Sequence, residues 1–229
     1  MSLLNDFFSL FFPRVCQACG ATLFKTEEVI CTFCNYHLPR TNFHLEQDNW
    51  VSRTFWGRTD VFSATALFYF NKGGKVQHLI HRLKYNGEKE IGIFLGKQYG
   101  YDLQKSPFFN SVKVVLPVPL HSKKEKKRGY NQSEMFAIGL AQTMQIELVK
   151  NNLIKTMATE SQTRKSRFKR WENVKEIFVV KDAEKLEGKH VLLVDDVITT
   201  GATIESCANT LLKVPGIRVS VAAIAFTQH

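Results

Sequence analysis

The stretch at residues 191–203, which reads VLLVDDVITTGAT, decides the fold. It opens with a run of apolar residues, which is typical of a strand buried on both faces of a parallel sheet. The paired acids Asp195 and Asp196 follow, then a loop of small residues, and then apolar residues at helical spacing. Because ligands of open α/β sheets bind beyond the carboxyl ends of the strands, this loop is predicted to line a ligand site.

The residue types of the loop fit a phosphorylated sugar. A phosphate can be surrounded by the backbone N–H groups and hydroxyls of Thr199, Thr200, Gly201, Ala202 and Thr203, beside the positive end of a helix dipole. The two carboxylates can accept hydrogen bonds from neighbouring ribose hydroxyls or hold Mg²⁺ through water. The alternative is a buried strand with an ordinary threonine-rich turn, but the complete pattern favours the ligand site.

Strand-like and helix-like segments alternate along the chain from about residue 60. Apolar and β-branched residues predict further strands at residues 62–70, 111–120, 147–154, 177–180 and 218–226. Residues at helical spacing lie between them, and Asn131 with Glu134 resembles a capping box at the start of one helix. This order predicts an α/β fold with a mostly parallel sheet.

Four of the five cysteines lie near the start of the chain, in two pairs with the spacing CxxC. They are Cys16, Cys19, Cys31 and Cys34. Two such pairs supply four thiolates in a tetrahedral arrangement, which is typical of structural zinc, and two redox-active dithiols are the alternative. Because so small a module has little core of its own, the metal is expected to contribute to its folding.

Composition restricts the partners and the location. The 229 residues carry 31 Lys and Arg against 21 Asp and Glu, a net charge of +10. This surplus favours nucleic acid, phosphorylated substrates or an anionic membrane surface. The apolar start is interrupted by Asp6 and Pro13, so we expect an amphipathic helix and no transmembrane segment. It also lacks the features of a signal peptide, which predicts a cytoplasmic protein with reduced thiols.

The sequence VLLVDDVITTGAT closely resembles the signature with which type I phosphoribosyltransferases bind phosphoribosyl pyrophosphate (PRPP). The resemblance implies a type I phosphoribosyltransferase fold and Mg²⁺ bound together with PRPP. It implies that Asp195 and Asp196 are catalytic-site residues that bind the ribose hydroxyls, and that residues 199–203 hold the 5′-phosphate. Purine-salvage members usually have an acid where this chain has Thr199, which argues against a purine acceptor.

In this fold the loop at residues 116–120 surrounds the pyrophosphate, which implies contacts from Val118, Pro119 and Leu120. A turn stiffened by proline is the alternative. The basic run at 123–128 forms either a solvated charged face or a mobile lid over the sugar. In a lid, Arg128 would offset the charge of the departing pyrophosphate.

Other segments are similar to the ComF family, whose better-known members take part in bacterial natural competence. They are the four cysteines, HLIHRLKYNGEKEIG with Lys84 and Tyr85, residues 128–132 (RGYNQ), and residues 158–174. The resemblance implies transfer of phosphoribose to an unidentified acceptor in a pathway of DNA uptake. The alternative is a sensor of PRPP or a related nucleotide that handles single-stranded DNA beside a competence helicase.

Two units are predicted on these grounds. Residues 1–50 are expected to form the amphipathic segment and a zinc ribbon, and residues 51–229 the phosphoribosyltransferase-like domain, with 41–60 as connector. The basic stretch at 164–171, which includes Trp171, either binds single-stranded nucleic acid or is a solvated loop.

Overall fold

The structure is a computed structural model that describes residues 13–156 and 177–228. The amphipathic segment predicted before residue 13 and the basic stretch at 164–171 lie outside the described residues. No helix in the described part of the chain is both long enough and apolar enough to cross a membrane.

The described strands form one parallel sheet and one antiparallel pair. In chain order they are β1 (Ser63–Tyr69), β2 (Val114–Pro117), β3 (Glu147–Leu148), β4 (Leu153–Thr156), β5 (Ile177–Val180), β6 (His190–Ile198) and β7 (Arg218–Phe226). The sheet has the order β1-β7-β6-β2-β3, and all of its pairings are parallel. Strands β4 and β5 pair with each other in antiparallel orientation. The predicted α/β fold is therefore confirmed.

Helices lie between the strands, as the sequence predicts, and three further short helices, at residues 32–37, 50–53 and 122–128, were not predicted. The helices are α1 (Thr32–His37), α2 (Trp50–Arg53), α3 (Lys75–Tyr85), α4 (Lys89–Lys105), α5 (Ser122–Arg128), α6 (Gln132–Met144) and α7 (Ala202–Leu211), with a short 3-10 helix at Phe43–Leu45. The basic run at 123–128 therefore lies in a helix of its own, α5, and none of its residues is buried.

Half of the predicted capping box is present at the start of α6. The side chain of Asn131 accepts a hydrogen bond from the backbone N–H of Ser133 at 3.0 Å, as a helix cap should. Glu134 does not complete the box, because its carboxylate pairs with the Lys150 ammonium at 2.6 Å. The salt bridge ties the first turn of α6 to the segment that follows β3.

Alternate residues of the central strand β6 enter two hydrophobic clusters. Leu192 and Val194 pack into the cluster that contains α4 and α6, while Val191 and Leu193 pack into the cluster that contains α7. A strand covered on both faces has no polar side, which explains the uninterrupted apolar run that precedes the two acids.

Helices α4 and α6 approach so closely that glycine is required where they meet. A Cβ at Gly139 would lie 2.1 Å from the carbonyl oxygen of Ile93, and one at Gly96 would lie 2.2 Å from that of Phe136. Both obstacles are backbone atoms, so neither can move aside as a flexible side chain would. Helix α6 is thereby held firmly over the sheet with its N-terminus near the end of β6.

The cysteine module and the segment after it are packed against the sheet domain. Cys16 and Cys34 belong to the same hydrophobic cluster as Phe68 of β1 and Val76 of α3. Within the expected connector, Val51 and Phe55 are buried in the second cluster. The connector is thus also part of the core, and the division of the chain at residue 50 stays a prediction.

Candidate functional site

Strand β6 carries the two acids to the carboxyl end of the sheet, where a cleft lies. Asp195 lines the cleft and is partly exposed, whereas Asp196 is 5% exposed. The other lining residues are Val197, Ile198, Thr199, Thr200, Gly201, Ala202, Thr203 and Ile204. The predicted phosphate loop and the first of the two acids are therefore brought together in one cleft.

The loop presents the free end of a helix to this cleft. Gly201 precedes α7 with a φ of 74°, a backbone conformation that residues other than glycine rarely adopt. The first N–H groups of α7, from Ala202 onward, have no carbonyl partner within the helix, and the side-chain contact to Ala202 N–H is long, at 3.5 Å from Thr200 Oγ1. Together with the helix dipole, this geometry favours an anion.

A segment that the sequence analysis treated as a connector supports the loop from behind. The Arg58 guanidinium donates to the carbonyl oxygens of Thr200 at 2.9 Å and Thr54 at 3.1 Å, and it pairs with the carboxylate of Glu205. A Cβ at Gly201 would lie 3.0 Å from side-chain atoms of both Thr54 and Phe55. Nothing in the sequence near Arg58 signals this role, because its partners in the loop and in α7, Thr200 and Glu205, lie more than 140 residues away.

Asp195 is held by two hydrogen bonds to a single oxygen. Its Oδ1 accepts from the Ser133 hydroxyl at 2.8 Å and from the backbone N–H of Asp196 at 2.8 Å. Burial, and then the neighbouring Asp196, raise the pKa of Asp195 to about 7, although these hydrogen bonds and Lys84 act in the opposite direction. At neutral pH the Asp195 carboxyl is therefore only partly ionised.

Asp196 faces a lysine that comes from outside the motif. The Lys84 ammonium, at the C-terminal end of α3, lies 2.9 Å from Asp196 Oδ1. The other oxygen, Oδ2, is buried and has no hydrogen-bond partner among the described residues. Sequence reasoning singled out Lys84 only as part of a family-like segment, without a contact to the acids.

The segment that carries the two acids and the loop is similar to known proteins. The family of the phosphoribosyl transferase domain matches residues 107–228, which include β2, β6, the two acids and the loop. The chain belongs to this family. The crystal structure of a purine phosphoribosyltransferase from Pyrococcus horikoshii is similar at 15% identity, covering 59% of this chain and 84% of that chain, with a TM-score of 0.39.

The chain also has relatives that match well beyond this domain. The DNA utilization protein YhgH of Escherichia coli K12 is 26% identical over 87% of this chain and 84% of its own. The competence protein ComFC of Bacillus subtilis is 26% identical over 87% of this chain and 78% of its own. Competence protein F of Haemophilus influenzae is 28% identical over 59% of this chain and 61% of its own. The resemblance to the ComF family is therefore confirmed.

The loop predicted to surround a pyrophosphate follows β2, beside the cleft of the phosphoribosyltransferase domain. Both backbone polar groups of Val118 are already used, because its N–H donates to Val194 and its carbonyl accepts from the Asn131 side chain. Pro119 has no N–H. Of the three residues, Leu120 is thus the one whose N–H receives no acceptor from the described residues. The role of this loop stays a prediction.

A basic pocket of about 310 Å³ lies between α3 and α5. It is lined by Lys84, Tyr85, Gly87, Lys124, Lys127 and Arg128. The Arg128 guanidinium lies 5.2 Å from the centre of the Tyr85 ring and donates to Gln132 Oε1 at 2.8 Å. The basic run at 123–128 therefore contributes three cations to a pocket that also contains Lys84, and its role as a lid stays a prediction.

The four cysteines of the N-terminal module converge on one point. Their Sγ atoms all lie within 4.8 Å of one another, and those of Cys19 and Cys31 are 3.8 Å apart. Four thiolates about 2.3 Å from a tetrahedral zinc ion would be about 3.8 Å from each other. Burial, and then hydrogen bonds from neighbouring cysteines, raise the pKa of Cys34 to about 12, so a cation is needed to hold Cys34 as a thiolate. The module can hold a metal ion such as zinc.

Proposed function

We propose that this chain is a phosphoribosyltransferase that binds PRPP with Mg²⁺ in the cleft at the end of β6 and transfers phosphoribose to an acceptor. The observation that carries the proposal is that Asp195 and the open end of α7 line the same cleft. The acid can accept hydrogen bonds from ribose hydroxyls while the helix end holds the 5′-phosphate. A sugar that carries both groups fits this pair of sites.

The residues around the cleft suit a reaction in which the bond from C1 to the pyrophosphate oxygen breaks. The sugar becomes cationic as pyrophosphate departs, and the cations Lys84, Lys127 and Arg128 line a pocket that meets the acids at Lys84, where they can offset the developing negative charge. Fixing the 5′-phosphate at residues 199–203 and the hydroxyls at Asp195 orients C1 toward the acceptor. Carboxylate oxygens are ligands that suit Mg²⁺, which would supply further charge neutralisation of the pyrophosphate when bound.

Calorimetric titration with PRPP in the presence of MgCl₂ tests binding, and pyrophosphate release against a panel of nucleobases and amines tests turnover. We expect saturable binding of PRPP and release of pyrophosphate with at least one acceptor of the panel. Absence of binding would reject the proposal. Binding without release from any acceptor would favour a sensor of PRPP or of a related nucleotide.

The affinity for PRPP is expected to increase as the pH is raised through about 7. The pKa of Asp195 is raised to about 7, so below that pH the carboxyl is protonated and loses its charge-assisted contact with the ligand. Between pH 6 and pH 8 the dissociation constant should fall by up to about tenfold from this group. Titrations at several pH values with the wild type and with Asp195→Asn measure the effect. An equal pH dependence in the variant would assign it to the ligand's own phosphates instead.

We infer that the cysteine module holds one structural zinc ion, since the Sγ positions match the spacing of a four-thiolate shell. Reduced cysteines that bind zinc fit a cytoplasmic location. The purified protein is expected to contain one zinc per chain, and Cys34→Ser is expected to lose most of it and to lower the melting temperature. Cys207→Ser, in α7, serves as control because it lies outside the cluster and should leave the zinc content unchanged. Equal zinc content in both variants would contradict the assignment.

A second candidate is a role in handling single-stranded DNA, which the printed names of the relatives from competence and DNA utilization suggest. One described surface suits it: the Arg53 guanidinium lies over the rings of Trp50 at 5.3 Å and Trp56 at 5.7 Å, and both indoles are more than half exposed. Aromatic faces beside a cation bind unpaired bases by stacking. We expect Trp56→Ala to weaken binding of a labelled oligonucleotide, whereas Tyr101→Ala, an exposed aromatic on α4, should not. Equal affinities of the two variants would exclude this surface.

A further inference from the structure

Asp196 offers no oxygen to a ligand in the arrangement that the structure shows. One oxygen is 2.9 Å from the Lys84 ammonium, and the other is buried without a partner among the described residues. The side chain as a whole is 6% exposed. A ribose hydroxyl can therefore reach Asp195 directly, but it can reach Asp196 only after the Lys84 side chain has moved.

Lys84 stands between the acids and the basic pocket. It lines that pocket together with the cations Lys124, Lys127 and Arg128. The end of α3 that carries Lys84 is fixed, because the Tyr130 hydroxyl donates to the carbonyl oxygen of Leu83 and Arg128 covers the Tyr85 ring. A rotation of the flexible lysine side chain, without movement of the helix, is thus enough to exchange one partner for the other.

An anion in the basic pocket would change the balance between these two partners. Four like charges converge there, and among the described residues Lys84 is the one of the four with a carboxylate partner at hydrogen-bond distance. When no anion is bound in the pocket, a Lys84 side chain that moved away from Asp196 would lose its ion pair, and the buried Asp196 carboxylate would remain without a counter-charge. With a pyrophosphate in the pocket, Lys84 gains an anionic partner, and sugar hydroxyls replace it at Asp196.

We propose that Lys84 is a specificity-determining residue. Its ammonium pairs with Asp196 until a phosphate group on C1 of the sugar binds the ammonium in the basic pocket and Asp196 becomes accessible. The site then selects sugar phosphates that carry anionic groups at both ends, and it rejects ribose 5-phosphate, which lacks the second one. The inference rests on the proposed binding of PRPP and extends it to the way in which the site recognises its ligand. Lys84 lies outside the segment that the family match covers, so the motif alone does not contain this discrimination.

Calorimetric titrations of PRPP and of ribose 5-phosphate with the wild type, Lys84→Met and Lys127→Met test the proposal. In Lys84→Met the preference for PRPP should fall by about tenfold or more, the value of one charge-assisted contact, and ribose 5-phosphate should bind as well as or better than in the wild type. Lys127 lines the same pocket but does not contact the acids. The Lys127→Met substitution should therefore weaken PRPP binding and leave ribose 5-phosphate binding unchanged. Lys84→Arg, which keeps the cation, should restore most of the preference.

The double variant Lys84→Met with Asp196→Asn guards against a folding defect, because it removes both charges of the pair and leaves no buried charge uncompensated. Its preference for PRPP should be as low as that of Lys84→Met. An unchanged preference in both variants, or an equal loss of affinity for both ligands, would overturn the proposal and make the ion pair purely structural. A wild type that binds neither ligand would instead refute the proposed function.

Discussion

Replacing Asp195 and Asp196 together with asparagine is expected to abolish the thermal stabilisation that PRPP and MgCl₂ give to the wild-type protein. Each substitution keeps the shape of the side chain but removes a charged acceptor, and a hydrogen bond to a charged group is worth roughly 1.5–3 kcal/mol. Two such losses correspond to a dissociation constant that is roughly 100-fold higher or more. Thermal shift and calorimetry on the same samples measure the change.

Asp102→Asn is the matched control for this experiment. Asp102 lies on α4, where it pairs with Arg40 at 3.2 Å and takes no part in the cleft. The substitution removes one negative charge from the protein and should leave the PRPP affinity unchanged. If the double variant binds PRPP as tightly as this control does, the two acids are not the ligand contacts.

Substituting Gly139 with alanine is expected to destabilise the fold strongly. The new methyl carbon would lie 2.1 Å from the carbonyl oxygen of Ile93 and 2.6 Å from the N–H nitrogen of Lys97, so α4 and α6 must separate. Overpacking between backbones of this kind should lower the free energy of unfolding by about 3 kcal/mol or more. Urea unfolding followed by circular dichroism gives the value.

An alanine substitution on the facing helix α4 serves as the control. Lys97→Ala on α4 also introduces alanine, but the side chain of Lys97 is exposed, so its effect should stay within about 0.5 kcal/mol. In an ordinary helix, alanine is favoured over glycine by roughly 1 kcal/mol, so a gain in stability for Gly139→Ala would show that the helices are not in close contact.

The local pattern around β6 predicted much of the fold and of the site. The apolar run, the two acids and the threonine–glycine loop depend on neighbours in the sequence, so their strand, turn and helix could be recognised there. The cysteines could be recognised for the same reason, since their spacing alone brings each pair to one metal. In each case the interacting groups lie within a few residues of one another.

The parts that the sequence did not reveal depend on contacts between distant segments. Lys84 reaches Asp196 across 112 residues, and Arg58 reaches Thr200 across 142. Ser133 meets Asp195 only because α6 packs over β6, which in turn requires glycine at the contact with α4. A basic or polar residue on a helix has many possible partners, and only the tertiary structure selects one of them.

The position of β7 has a consequence for the order of assembly during synthesis. This strand, near the end of the described chain, lies between β1 and β6 and pairs with both. While the ribosome is still making residues 218–226, β1 lacks its neighbour and one edge of β6 is open. The chain between β1 and β7 forms a long loop, and closing it costs conformational entropy. The complete sheet should therefore form after β7 has been translated rather than progressively. Nascent chains that stall before β7 would expose the unpaired backbone N–H and C=O groups of β1 and β6, and we expect chaperones to bind them.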